Sequence, residues 1–180
     1  MTSISAVKSK KDFRTTLAAA FGVKNALAAP TILKVTLNVG LNARVNDAKL
    51  PEVIQSVLTR ISGQRPVARL AKKSISNFKV REGMVVGYIV TLRGKRMQDF
   101  VAKLITLVLP RVRDFRGLPE KTVDARGNLS IGFREYLAFP EIRSDEVEKL
   151  HGLEVNITTS AGSRERGITM LRALGFPLAK

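Results

Sequence analysis

The chain of 180 residues has no cysteine. Disulfide scaffolds and thiolate metal sites are therefore excluded, and a reducing compartment is compatible with the composition. There is no tryptophan, aromatic residues make up only 6%, and histidine occurs once. A membrane-surface protein is expected to carry a basic amphipathic helix with exposed Trp or Phe, and that pattern is missing. No apolar run approaches the roughly 18 residues of a membrane span. Acidic residues are scarce as well. Asp and Glu number 15 against 31 Lys and Arg, a formal net charge of +16. Such a balance favours nucleic acid over an acidic small substrate as partner.

What is present suits one domain with a real core, since 44% of the residues are hydrophobic. Lys8, Lys10 and Lys11 followed by Leu17–Phe21 imitate a secretory signal. Asp12 and Lys24 interrupt that pattern, and an amphipathic first helix over Lys8–Phe21 is expected instead. Period-two alternation then predicts strands. In Ile32–Gly40, Leu33, Val35, Leu37 and Val39 face one way, and Lys34, Thr36 and Asn38 the other. In Met84–Arg93, Met84, Val86, Tyr88, Val90 and Leu92 share a face, opposite Thr91 and Arg93. Asn128–Arg134 and Leu153–Thr159 alternate similarly, leaving Ser130, Arg134, Asn156 and Thr158 opposite the apolar set. A weaker strand covers Pro66–Leu70.

Helical spacing predicts a helix over Ala48–Ile61, with Val53, Ile54, Val57, Leu58 and Ile61 inward and Gly63 as its stop. A second is carried by Met97, Phe100, Val101, Leu104 and Val108 and stopped by Pro110. A last one covers Ser163–Leu174. The simplest assembly is an α+β domain of two layers. Helices pack on the apolar face of a mainly antiparallel sheet, and an open polar face is left for RNA. Tyr88 and Phe133 fall on the core side, so the polar face lacks the stacking aromatics of single-strand readers. Lys, Arg, Thr, Ser and Asn there favour a structured RNA gripped by backbone, groove and 2′-hydroxyl contacts.

Arg65–Arg81 is a second concentration of charge. Arg65, Arg69, Lys72, Lys73, Lys79 and Arg81 occur there with no acid, and Phe78 sits among them, able to stack on a base or to pack the loop down. Arg93–Arg116 is also basic, whereas Glu135–Lys149 is acidic and reads as a solvated face or a contact with a basic protein. Catalytic chemistry finds little support. His151 is expected to be a surface or internally satisfied residue. Asp145, Glu146 and Glu148 suit an exposed helix start better than a Mg²⁺ site, and Gly162-Ser163-Arg164 is only a weak anion signal. No metal or cofactor is expected. An RNA-processing enzyme and a general DNA-compacting protein are the competing classes.

Longer motifs narrow the choice. Ile61-Ser62-Gly63-Gln64-Arg65-Pro66 is followed by Ala71-Lys72-Lys73-Ser74-Ile75-Ser76-Asn77-Phe78-Lys79-Val80-Arg81-Glu82-Gly83. Then come Val90-Thr91-Leu92-Arg93-Gly94, Leu109-Pro110-Arg111-Val112-Arg113-Asp114-Phe115-Arg116-Gly117, Arg126-Gly127-Asn128 and Phe139-Pro140-Glu141-Ile142. In this order, from about Leu33 to Pro177, the chain resembles the large-subunit ribosomal protein L-five family that binds 5S rRNA, in its bacterial or organellar form. The resemblance implies a non-enzymatic protein of the central protuberance, in a cytoplasmic rather than an organellar ribosome. It implies 5S rRNA contacts at Asn38, Gln64, Thr91 and Arg93, to which face analysis adds Lys34 and Thr36. A protruding loop at about 71–83 would approach P-site tRNA through Lys72, Lys73, Ser74, Asn77, Phe78, Lys79 and Arg81. Arg111, Arg113, Arg116 and Arg126 are candidates for other rRNA contacts, and the large-subunit rRNA is an implied partner. A small-subunit head protein across a bridge and neighbouring large-subunit proteins complete the implied partners. Some segments depart from the family pattern, namely Gly40–Arg44, Ala161–Gly167 and Ala125, where Gly is usual. If position 125 needs positive φ, Ala costs about 1 kcal/mol.

Overall fold

Every strand that alternation predicts forms. A computed structural model of the chain describes residues 10–41, 49–142 and 150–179. In order, the elements are α1 (Lys10–Phe21), β1 (Ile32–Gly40), α2 (Leu50–Ser62), β2 (Val67–Leu70), β3 (Val85–Leu92) and α3 (Gly94–Lys103). They continue with α4 (Leu109–Arg111), β4 (Leu118–Pro119), β5 (Leu129–Phe133), β6 (Leu153–Thr159), α5 (Arg164–Ala173) and β7 (Leu178–Ala179). The fold is α+β, with a mainly antiparallel sheet in the order β2-β3-β1-β6-β5. A short parallel pair joins β4 to β7. Lys8 and Ala48, expected in helices, and Asp145, Glu146 and Glu148 lie outside the described residues.

The chain divides into two compact units. The first comprises Met1–Val35, Leu92–Ile131 and Asn156–Lys180, and the second Thr36–Thr91 and Gly132–Val155. In the second unit, Leu37, Val39, Tyr88, Val90, Val155 and Phe133 are buried from the strands, and Ile54, Val57, Leu58 and Ile61 from α2. Gln55 of α2 donates through Nε2 to the Tyr88 hydroxyl at 3.0 Å, so α2 covers the Tyr88 side of β3. Pro51 and Glu52 suit the first turn of α2, where the missing N–H is harmless and negative charge meets the helix dipole. Gly63 ends the helix in the left-handed region at φ 65°, donating to the Thr59 carbonyl.

In the first unit, Leu17, Phe100, Val101, Leu104, Val108, Leu129, Ile157, Met170 and Leu171 are buried. Helix α1 packs against α5, and the Arg166 guanidinium lies 5.9 Å from the Phe21 ring centroid. Glu120 and Arg172 form an ion pair.

Three details depart from the sequence pattern. Leu33 is 49% exposed and Ile32 is buried instead, so the alternation of β1 sets in only from Lys34. Val53 is half-buried rather than fully inward. Pro110 does not end its helix before it. Lacking an N–H, and with a ring that crowds the carbonyl four residues back, proline disrupts regular α geometry. The backbone widens into a π-helical stretch over Leu104–Val108, and α4 carries the chain through Pro110 to Arg111. Val112 is extended, which terminates the run.

The turn at Asp124–Asn128 carries its positive φ at Gly127, 84°, and none at Ala125. Ala125 therefore costs no backbone strain. Asp124 Oδ1 accepts from the N–H groups of Arg126 at 2.9 Å and Asn128 at 2.7 Å, and Oδ2 from Asn128 Nδ2 at 2.7 Å. Asn128 Oδ1 in turn accepts from the Thr159 N–H at 2.9 Å, and the Thr159 hydroxyl donates to the Gly127 carbonyl at 2.8 Å. This knits the turn to the end of β6. A Cβ on Gly167 would overlap the Gly127 Cα, and one on Gly127 would lie 2.7 Å from the Ser163 carbonyl oxygen.

Two outcomes follow from that contact. Gly167→Ala must push backbone from backbone, and is expected to cost about 1–3 kcal/mol in denaturant unfolding; an unchanged midpoint would contradict the contact. For Asp124, burial pushes the pKa up, but hydrogen bonds from Asn128, Arg126 and Gly127 outweigh it and hold the carboxyl below its ordinary 3.8. Folding therefore favours the charged form. The stabilisation is complete above the ordinary value and is lost as pH falls through the lower, folded value. The stability advantage of the parent over Asp124→Asn is expected to shrink between about pH 6 and about pH 2, as read by chemical denaturation.

Candidate nucleic-acid interface

The polar set on β1 follows from its neighbours. With Val35, Leu37 and Val39 buried, Lys34, Thr36 and Asn38 point to the opposite side, and all three are half-buried. On β3, Tyr88, Val90 and Leu92 are buried, and Thr91 lies half-buried between them.

In the second unit the structure gathers Thr36, Asn38, Gln64 and Thr91. Gln64 is placed by the end of α2. After the left-handed turn at Gly63, the Gln64 N–H donates to Ser62 Oγ at 3.2 Å, and Ser62 Oγ donates to the Leu58 carbonyl at 2.6 Å. The Gln64 carboxamide then reaches β3, its Nε2 donating to the Thr91 carbonyl at 3.4 Å. Asn38 is held separately, with Nδ2 donating to Glu154 Oε2 of β6 at 3.2 Å. The same period-two pattern that selects Asn156 and Thr158 also selects Glu154, but a search for cations passes over it. Ser62 was equally unmarked, since a serine at a helix end has many uses.

The basic loop belongs to this unit too. It extends the antiparallel β2–β3 hairpin: Ala71 donates to the Met84 carbonyl at 2.8 Å, and Ile75 and Val80 exchange backbone hydrogen bonds of 2.8 and 3.2 Å. The Glu82 N–H donates to Ser74 Oγ at 2.9 Å. A 3₁₀ turn over Ser76–Phe78 forms the tip, and Lys79 follows it in the left-handed region at φ 54°. A lysine there costs about 1 kcal/mol relative to glycine, which the loop's own hydrogen bonds must offset. Lys72, Lys73, Ser74, Asn77, Lys79 and Arg81 are exposed, and Phe78 is 59% exposed, so its ring does not pack the loop down. Ser74, Ser76, Lys79, Val80 and Arg81 line a cleft of about 610 Å³.

In the first unit, Arg93 is exposed at the start of α3, and Arg111, Arg113 and Arg116 are exposed around its far end. Arg126 is exposed on the Asp124–Asn128 turn. The contact of Gly127 with Ser163 and Gly167 places that turn at the start of α5, where Arg164 is also exposed. Arg126 and Arg164 lie too far apart in sequence for spacing to connect them.

His151 is half-buried in the second unit, its ring 4.4 Å from that of Tyr136. Burial lowers its pKa, opposed by its bond to the Gly152 carbonyl. Among the described residues, no group of His, Asp or Glu could hold a metal ion, and no helix is long and apolar enough to cross a membrane.

Comparison with known proteins shows the family of the chain. The ribosomal protein L5 family model matches residues 25–81, and the model of that family's C-terminus matches residues 85–178. The large ribosomal subunit protein uL5 of Colwellia psychrerythraea is 48% identical over 160 residues, 89% of this chain and 88% of its own length. That of Herpetosiphon aurantiacus is 49% identical over 157 residues, covering 87% and 88%. That of Halothermothrix orenii is 45% identical over 175 residues, covering 97% and 98%. On these matches the chain belongs to the ribosomal L5 family, a family of structural proteins rather than enzymes.

Proposed function

We propose that this chain, as a structural constituent of the large ribosomal subunit in the bacterial cytoplasm, binds 5S rRNA and helps attach it to the large rRNA in the central protuberance. The observation that carries the reading is the grouping of Thr36, Asn38, Gln64 and Thr91 in one unit of a ribosomal L5 family chain. Gln64 and Asn38 are already fixed by hydrogen bonds within the protein. Their side chains need little further ordering on binding, which lowers the entropic cost of recognition. Neutral polar groups of this kind read RNA shape and base edges, while Lys34 and Arg93 contribute phosphate contacts.

The chain works in this reading as one RNA-binding domain with a protruding loop. Arg111, Arg113, Arg116 and Arg126 serve the large rRNA, where charge rather than shape gives affinity. The loop over 71–83 serves P-site tRNA. Its exposed cations stand on a hydrogen-bonded hairpin that continues β2 and β3. A small-subunit head protein across a bridge and neighbouring large-subunit proteins are the protein partners.

Asn38→Ala and Arg93→Ala are each expected to weaken 5S rRNA binding by about 1–3 kcal/mol at one fixed salt concentration. Equal affinity of both variants and the parent would refute the assignment. Replacing Lys72, Lys73, Lys79 and Arg81 by Gln is expected to leave 5S binding nearly intact and to weaken P-site tRNA engagement on assembled ribosomes. Collapse of isolated 5S binding would place the loop in the primary site instead.

A further inference from the structure

The Glu154 carboxylate is out of place on a phosphate-binding surface. It is exposed on β6 and bonded to Asn38, in a chain whose net charge is +16. Among the described residues no ion pair engages it. A carboxylate in that position repels phosphate, so on a surface that works by charge alone it weakens RNA binding. Carboxylates accept hydrogen bonds and donate none when ionised. The orientation of Asn38 follows, because turning its amide around would set its oxygen against the carboxylate. With Nδ2 committed to Glu154 Oε2, Asn38 Oδ1 and Glu154 Oε1, carried by the two bonded side chains, are left as acceptors with no protein donor among the described residues.

We infer that Glu154 and Asn38 together form an acceptor pair that reads hydrogen-bond donors of the RNA, the N–H groups of an unpaired base edge or a ribose 2′-hydroxyl, and that rejects phosphate. Glu154 positions the Asn38 amide and contributes its own second oxygen. The inference rests on the proposed function and adds to it a residue of opposite charge, which supplies selectivity by strengthening binding to an RNA with matching donors and weakening binding to phosphate alone. Paired acceptors match the adjacent imino and amino donors of guanine, and a carboxylate is a known partner for base amino groups.

The sign of one substitution tests this. Glu154→Gln removes a negative charge. If the carboxylate is a bystander, every RNA binds Glu154→Gln as tightly as the parent or more tightly. If it reads donors, affinity for 5S rRNA falls by about tenfold or more, while affinity for an unrelated duplex RNA is unchanged or rises. Thermal unfolding of the same variant separates a folding defect, which would lower both affinities. Synthetic 5S rRNAs carrying single inosine replacements of unpaired guanosines, or single 2′-deoxy replacements, locate the donor. One replacement should lose its effect in Glu154→Gln, and the set containing it identifies base or ribose. No coupled position in either set, or tighter 5S binding by Glu154→Gln, overturns the inference. A parent protein that does not prefer 5S rRNA over the unrelated duplex overturns the proposed function itself.

Discussion

Burying Val35, Leu37 and Val39 commits the rest of β1. Side chains alternate strictly along a strand, so those three apolar residues send Thr36 and Asn38 to the opposite side. A slip of one residue would bury two polar groups and expose the core. The hydrophobic effect thus positions the candidate RNA contacts, although none of them takes part in it. On β3 the burial of Tyr88, Val90 and Leu92 does the same for Thr91.

Helix ends and turns complete what alternation begins. Gly63 and Ser62 direct Gln64 onto β3, and Glu154 fixes the Asn38 amide. In the first unit, Asp124, Asn128 and Thr159 tie a turn to the end of β6, and two glycines let that turn touch α5. Residues held this way are presented on rigid elements instead of free loops, which favours a precise contact over an adaptable one. The hairpin loop works differently. Its order comes from its own backbone bonds, and its cations face solvent.

Strands were legible in the sequence because their periodicity is short and strong. Ile32–Gly40 and Leu153–Thr159 match residue for residue, and Met84–Arg93 and Asn128–Arg134 are each trimmed by one residue at both ends. Irregular backbone was not legible. A proline reads as a stop, yet a π-helical stretch lets the helix run through Pro110, because a local widening relieves the crowding. At Leu33 the edge of the alternation was misplaced because Ile32 and Leu33 are both apolar and periodicity does not say which of two adjacent apolar residues is buried. Asn38, Thr91 and Arg93 could be selected from the face pattern, whereas Gln64 needed the family motif, since no periodicity marks a residue after a helix stop. The bond from Asn38 to Glu154 was hidden by its sequence separation and by the negative charge of Glu154, which runs against the basic pattern of the chain.

The most direct test of the central claim uses the absence of cysteine. Val67 is exposed on β2, where it pairs with Ile89 and so shares the side of β3 that carries Thr91. A single Val67→Cys variant can carry one tethered iron chelate that cleaves nearby RNA. Incorporated into large subunits, it should cut 5S rRNA at a confined set of nucleotides, and Asn38→Ala should reduce that cutting when the isolated protein is bound to 5S rRNA. Cleavage confined to the large rRNA, with 5S rRNA untouched, would contradict the account.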